Sequence, residues 1–279
     1  MEIQKEKIIY HYTYAPKKYS ARMIDRYLAM GWYRMKQKIF STTHNSYGEG
    51  PENLNRVWWL RYDVNEITPH TSHKRLMKKA TAFTITIEKF LDDSTEEHDL
   101  YDKYRAYVDF DGYDNLTAFL YGRNKSENKY NTFAIRIKDK EKLIAVGLFD
   151  KGLYAAASGI HFYDPDYAKF SLGKLMILKT IEFMKNNNLK WYYPGYIVVG
   201  RPKLDYKLFL GKDIAQYFDY ETKSWLKFKD EILIPETYDL GDVDYFGLSL
   251  LFSRFGNMTP KDIRDLMTEI DEIPKAEMG

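Results

Sequence analysis

Between residues 132 and 199 the apolar residues change period twice, and that order narrows the possible folds more than any other feature of the chain. Residues 132–138, 143–150 and 154–162 read as three strands, with the charged turn Asp139-Lys140-Glu141-Lys142 between the first two. Residues 163–171 read as a loop. Residues 172–187 then switch to helical spacing, with Leu172, Leu175, Met176, Leu178, Ile181 and Met184 on a broad apolar face. Ser171 is expected to cap that helix. Residues 191–199 return to strand spacing, and Pro202-Lys203 breaks it.

The rest of the chain is read in the same way. Tyr10, Tyr12 and Tyr14 alternate in an extended segment over 1–16. Residues 19–30 read as a helix stopped by Gly31, and 32–42 as a strand. Residues 44–55 are a loop crowded with Asn, Ser, Gly and Pro; 57–62 and 83–87 are strands. Residues 71–80 are a basic helix, 96–108 and 114–120 two more, and Thr259-Pro260 opens a last short helix over 259–270. No repeat or low-complexity run is present.

Strand, strand, strand, loop, long helix, strand is the order of an acyltransferase-type α/β sheet. Its chemically useful point is the junction at 163–172. There a helix start presents unpaired backbone N–H groups and a positive dipole end, suited to a phosphate or a developing oxyanion. Versions of this sheet that bind coenzyme A carry a glycine-rich turn at this place; here only Gly173 stands there.

Composition excludes several chemistries. A chain of 279 residues suits two domains. With 42 Lys+Arg against 40 Asp+Glu the net charge is +2, so a nucleic acid must be met by a local patch. The cysteine count is zero, which removes disulfides, thiolate nucleophiles, Cys-ligated zinc and Cys-bound clusters. No apolar run approaches ~20 residues, and the first residues lack a signal-peptide core. The expected place of work is the cytoplasm. The 25 tyrosines suit wet clefts as well as sheets.

Five motifs then stand in a familiar order: Leu143-Ile-Ala-Val-Gly-Leu-Phe-Asp150, Phe162-Tyr-Asp-Pro-Asp-Tyr167, Ser171-Leu-Gly173, Tyr192-Tyr-Pro-Gly-Tyr196 and Pro202-Lys-Leu-Asp-Tyr-Lys207. Over roughly residues 130–225 the chain resembles the arginyl-tRNA–protein transferases and the bacterial leucyl-tRNA–protein transferases. More loosely, Gly31-Trp-Tyr-Arg34 and Pro69-His-Thr-Ser-His-Lys-Arg75 sit where that family has a Gly-Trp-Arg-Arg run and a basic helix start. The resemblance implies an α+β fold: a smaller N-terminal α+β domain over 1–90, a GNAT-like acyltransferase domain over 91–228, and an extension over 229–279. It implies that the α-amine of a protein starting with Asp or Glu attacks the ester of an aminoacyl-tRNA, which marks that protein for degradation. Partners are then aminoacyl-tRNA and acidic N-termini; no cofactor, metal or membrane is expected. The family's N-terminal cysteines are missing here, and Arg201, Thr180 and Pro194 stand where it has Cys, Glu and Leu.

An aminoacyl ester is already activated, so positioning, oxyanion stabilisation and one proton acceptor suffice. On that implied reaction Asp166, Tyr163 and Lys203 are the expected catalytic residues, Asp166 as proton acceptor or ammonium ligand, with Asp164 the weaker choice. Tyr167, Ser171, Tyr206 and Lys207 are expected to bind substrate, the lysine through an acidic side chain or a phosphate. For tRNA, the helix bearing His73, Lys74, Arg75, Lys78 and Lys79 is the clearest patch. Arg34, Lys36 and Lys38 read as a second cationic stripe on one strand face. Arg34, Lys74, Arg75 and Lys78 are the residues named for that contact. Trp58-Trp59 and Tyr62 are candidates to stack on a terminal base, although adjacent tryptophans in a strand face opposite ways. Ser158 is left open between cleft and core. His44, His70 and His73 are the nearest metal-ligand types, two of them spaced His-x-x-His. Two other readings stay open: an acetyl-CoA-dependent N-acetyltransferase, and a binder of acidic N-termini or tRNA without turnover.

Overall fold

A computed structural model describes residues 11–17, 19–46, 54–108, 113–121 and 127–235. The helix expected at 259–270, most of the 229–279 extension and the first ten residues lie outside the described residues.

The chain opens with strand β1 (His11–Tyr14) and helix α1 (Ala21–Ala29), followed by β2 (Tyr33–Met35) and β3 (Lys38–Thr42). Ser20 caps α1 by accepting from the Met23 N–H at 3.2 Å. Gly31 follows at φ 75°, and a Cβ there would lie 2.6 Å from the Phe218 ring, so both backbone and space require glycine. Residues 32–42 are thus a hairpin, not one strand. Lys36 turns the chain at φ 59° and Met35 pairs with Lys38. A lysine at that position carries no Asn-Gly signal, which is why the turn is invisible in the sequence. β1, β3 and β2 form a three-stranded sheet.

Among the described residues the large sheet has nine strands. They are β4 (His44–Ser46), β5 (Leu54–Asp63), β6 (Thr84–Lys89), β7 (Thr132–Asp139), β8 (Lys142–Lys151), β9 (Ala155–Tyr163), β10 (Trp191–Val198), β11 (Gln216–Asp219) and β12 (Ser224–Lys227). Their order is β12-β11-β5-β10-β9-β8-β7-β6, with β4 beside β5. This mixed α/β architecture agrees with the expected class. The boundary at residue 90 does not follow it: β5, from the first 90 residues, lies between β11 and β10, and β6 forms the far edge.

β8 reads Leu-Ile-Ala-Val-Gly-Leu-Phe because it is buried on both faces. On one side lies α5 (Leu172–Asn186), whose Leu172, Leu175, Met176 and Ile181 meet Ile135, Ala145 and Phe149. On the other lie α3 (Thr95–Tyr107) and α4 (Leu116–Leu120), whose Leu100, Tyr101, Leu116 and Leu120 meet Val146, Leu148 and Phe162. A Ser94–Glu97 capping box starts α3, and Glu97 also receives Arg136 of β7 at 2.8 Å. The basic helix α2 (Thr71–Lys79) packs near α5.

The small sheet docks on β5. The Tyr33 ring stacks on Trp59 with centroids 3.7 Å apart, and the Trp59 indole donates to the Thr42 carbonyl at 2.8 Å. Trp58 donates to the Ile232 carbonyl at 2.8 Å, and Tyr62 is fully buried. All three rings are core, so base stacking is not their role. Asp25 of α1 accepts from the N–H groups of Leu153, Tyr154 and Ala155, which ties that helix to the β8–β9 turn. Burial pushes this carboxyl up to about 6 against those three donors.

Candidate active site

Among the described residues β9 and β10 are the one parallel pair of the large sheet, joined through α5 as parallel strands require. They pair over only three positions, Trp191 with Ala155, Tyr192 with Ala156 and Tyr193 with Ala157. The sequence explains why they part. Pro194 has no N–H for the ladder, Gly195 turns at φ 96°, and the register on β5 shifts between Tyr192 and Gly195. β9 carries its own bulge: Phe149 pairs with Ser158 but Gly147 with His161. Beyond the split, β9 stays with β8 and β10 with β5. Such a crevice at the carboxyl ends of parallel strands is where open α/β sheets hold ligands.

Polar groups collect in this crevice. Ser158 Oγ and the hydroxyl of fully buried Tyr192 share a hydrogen bond of 2.6 Å, which turns Ser158 toward the sheet face covered by α5. The His161 ring packs against Gly147 and Met176; a Cβ on Gly147 would meet both within 3.0 Å. His161 Nε2 is buried and has no hydrogen-bond partner. Burial, and then the nearby Lys207 charge, hold this imidazole down at about 4. Lys207 comes from the 3₁₀ turn Pro202–Leu210 that follows β10. Its Nζ donates to the Tyr196 carbonyl at 2.5 Å, and the Tyr62 hydroxyl donates to its own carbonyl at 3.0 Å. Burial lowers the Lys207 ammonium to about 8, partly offset by Asp205. At the rim, the Tyr163 and Tyr104 rings lie 5.2 Å apart. Tyr206 exposes part of its ring, while burial and Tyr163 push its hydroxyl up to about 12.

The other expected residues fall in different surroundings. Asp164 is buried and its carboxylate is saturated: Lys103 at 2.6 Å, Lys142 at 2.7 Å and the Asp166 N–H at 3.1 Å. Burial alone would raise this carboxyl, but the two ammonium groups and the N–H hold it at about 2. Asp166 is exposed and bound to Lys103 at 2.6 Å, so its carboxylate faces α3 rather than Lys207 and His161. Tyr167 donates to Asp139 at 2.8 Å, which braces this segment against the β7–β8 turn. Lys203 is exposed at the start of the turn whose later residue, Lys207, enters the crevice.

Arg34 is corrected outright. Its guanidinium is buried and meets Asp150 at 3.0 Å, Thr132 at 3.0 Å and the Leu120 carbonyl at 3.2 Å. A cation enclosed in this way cannot track phosphates, and with Lys36 in the hairpin turn the expected stripe does not exist.

The basic helix fares better. Lys74, Arg75 and Lys78 are exposed on α2. Arg75 and Lys79 line a cavity of about 190 Å³ together with Lys174 and Ser171 of the α5 start. Ser171 does hold the N-cap position, but in the left-handed region at φ 54° with no side-chain cap bond. His73 is taken: one ring nitrogen lies 3.0 Å from the Phe209 carbonyl, and the other accepts from the His70 N–H at 3.4 Å. Thr180 is buried, its hydroxyl on the Met176 carbonyl at 3.0 Å. Sequence reasoning missed His161 and the Tyr192 partner of Ser158. The available signal was a histidine amid an otherwise apolar strand, three residues beyond a serine.

Comparison with known proteins gives matches over the same part of the chain. Residues 96–212 match the family described as arginine-tRNA-protein transferase, C terminus. That span runs from α3 through the turn bearing Lys207. The aspartate/glutamate leucyltransferase of Helicobacter hepaticus is 32% identical over 53% of this chain and 63% of its own length. That of Saccharophagus degradans is 31% identical with the same coverage. The arginyl-tRNA–protein transferase 1 of Saccharomyces cerevisiae is 40% identical over 26% of this chain and 14% of its own. The alignment thus spans less than two thirds of the bacterial relatives, and within it residues 96–212 are similar to the transferase family's C-terminal region.

Proposed function

We propose that this chain, whose residues 96–212 belong to the arginyl- and leucyl-tRNA–protein transferase family, moves an aminoacyl group from tRNA to the α-amine of a protein starting with Asp or Glu. The single observation that carries the reading is the split of β9 from β10 inside the family-matched span, with a half-buried amine and an imidazole whose Nε2 has no partner in the opening. The arrangement is GNAT-like: an antiparallel sheet, one parallel pair, and a helix linking that pair.

The division of labour follows from charge. The cavity between α2 and the start of α5 has Arg75, Lys79 and Lys174 around unpaired helix N–H groups, which suits phosphates near the acceptor end of a tRNA. Lys74 and Lys78 extend that surface. Exposed Lys203 suits the carboxylate of the incoming Asp or Glu side chain. Tyr163 and Tyr206 flank the opening and orient the ester. Because the ester is activated, holding the amine and carbonyl in contact supplies most of the acceleration.

The test is a transfer assay with Leu-tRNA and Arg-tRNA, and peptides that begin Asp, Glu or Ala. Transfer to the acidic peptides alone is expected. Consumption of acetyl-CoA instead, or tight binding without product, overturns the proposal.

A further inference from the structure

The crevice holds a lysine that no carboxylate neutralises. Lys207 forms no ion pair among the described residues; its Nζ has the Tyr196 carbonyl at 2.5 Å and lies 5.4 and 5.6 Å from the Tyr196 and Tyr206 ring centroids. From its own turn Asp205 and Tyr206 face it, from β9 His161, and from β10 Tyr196. One N–H of the amine is fixed on a carbonyl, which leaves the nitrogen lone pair of the neutral form for another hydrogen. His161, kept neutral by burial, adds no competing cation, and its Nε2 has no protein partner.

On the reading given above, we propose that Lys207 is a catalytic residue that carries a proton from the attacking α-amine to the leaving ribose oxygen. The incoming ammonium first releases a proton to water. Its nitrogen lone pair then forms the C–N bond at the ester carbonyl carbon, and the π electrons move to the carbonyl oxygen. Neutral Lys207 takes a proton from the nitrogen, which became cationic in that step. As the carbonyl re-forms, the ester C–O bond breaks and its electron pair goes to the 3′ oxygen, which takes the proton back from Lys207. The amide, deacylated tRNA and a neutral lysine remain. Burial sets the amine near the pH at which such a relay works, with a lysine pulled to about 8 both losing and regaining a proton readily.

The absence of cysteine from the chain makes the test clean. Lys207→Cys should lower single-turnover transfer at least about 100-fold while tRNA and peptide binding persist. Alkylation with 2-bromoethylamine rebuilds an amine at that one site and should restore transfer. The rate inflection near 8 should then move to lower pH, because the thioether sulfur withdraws electrons. Lys207→Arg keeps the charge but cannot release a proton, so it should not restore transfer; recovery in that variant overturns the proposal. Independently of any variant, acetic anhydride labelling of the whole protein against pH should show Lys207 reactivity rising with a midpoint near 8. A midpoint at the ordinary lysine value overturns the relay. If the unmodified chain transfers from neither tRNA, the functional reading falls and takes the relay with it. Transfer that continues in Lys207→Cys with an unaltered pH profile removes the relay alone.

Discussion

β9 delivers two charged neighbourhoods, and they differ in how completely the charges are answered. Just past its end, Asp164 is buried but has two ammonium groups and a backbone N–H on it. Within the crevice, Lys207 has one carbonyl, and His161 Nε2 has nothing. A buried charge with every lone pair matched is part of the framework. A buried titratable group left under-matched costs stability and is retained where chemistry needs it. The Asp-Pro-Asp motif drew attention in the sequence because carboxylates suit proton transfer. Its surroundings assign it instead to holding the β9–α5 junction against α3 and the β7–β8 turn.

The contrast can be broken by mutation, and the largest effect should come from the ion pair buried on both sides. Arg34→Met strands buried Asp150 and should cost about 3–5 kcal/mol of stability, read by denaturant melts. Under conditions where the variant stays folded, its tRNA affinity should be unchanged; a lost salt-dependent contact would restore Arg34 to the binding surface. Asp164→Asn should cost less, because its lysines are half-exposed and screened. Here the sharper readout is pH. The fold holds Asp164 below its ordinary 3.8, at about 2. Its stabilisation is therefore complete above pH 3.8 and lost as pH falls toward 2. The wild-type protein should lose stability across that window, and the variant should lose less. The smallest effect on stability, within about 0.5 kcal/mol, belongs to Arg75→Glu with Lys174→Glu at the open cavity. These two should instead weaken tRNA binding and flatten its dependence on salt. Unchanged affinity at moderate salt would make that cavity plain solvated surface.

What could be read in advance follows the range of the interaction. α3, α5 and the β7–β8 hairpin were legible because period, caps and charged turns are local, and all three fall within a residue or two of expectation. The hairpin at Tyr33–Thr42 was hidden because its turn rests on a lysine at positive φ, a conformation with no lysine signature. The partners of Arg34 and Tyr167 were missed for a different reason. Each partner lies far along the chain, Asp150 for the arginine and Asp139 for the tyrosine.

By itself the sequence determined the mixed α/β class, the exclusion of cysteine chemistry, the likeness of residues 96–212 to the transferase family and the basic face of α2. Only the tertiary structure decided that β5 enters the large sheet beside β10, and that β10 leaves β9 after Tyr193. It also decided that Lys207 reaches the Tyr196 carbonyl while Lys203 stays exposed at the start of the same turn. The physical reason is that burial and pairing belong to neighbours in space. A lysine's charge is written in the chain, but whether that charge is solvated, matched or left in reserve depends on which distant strands close around it.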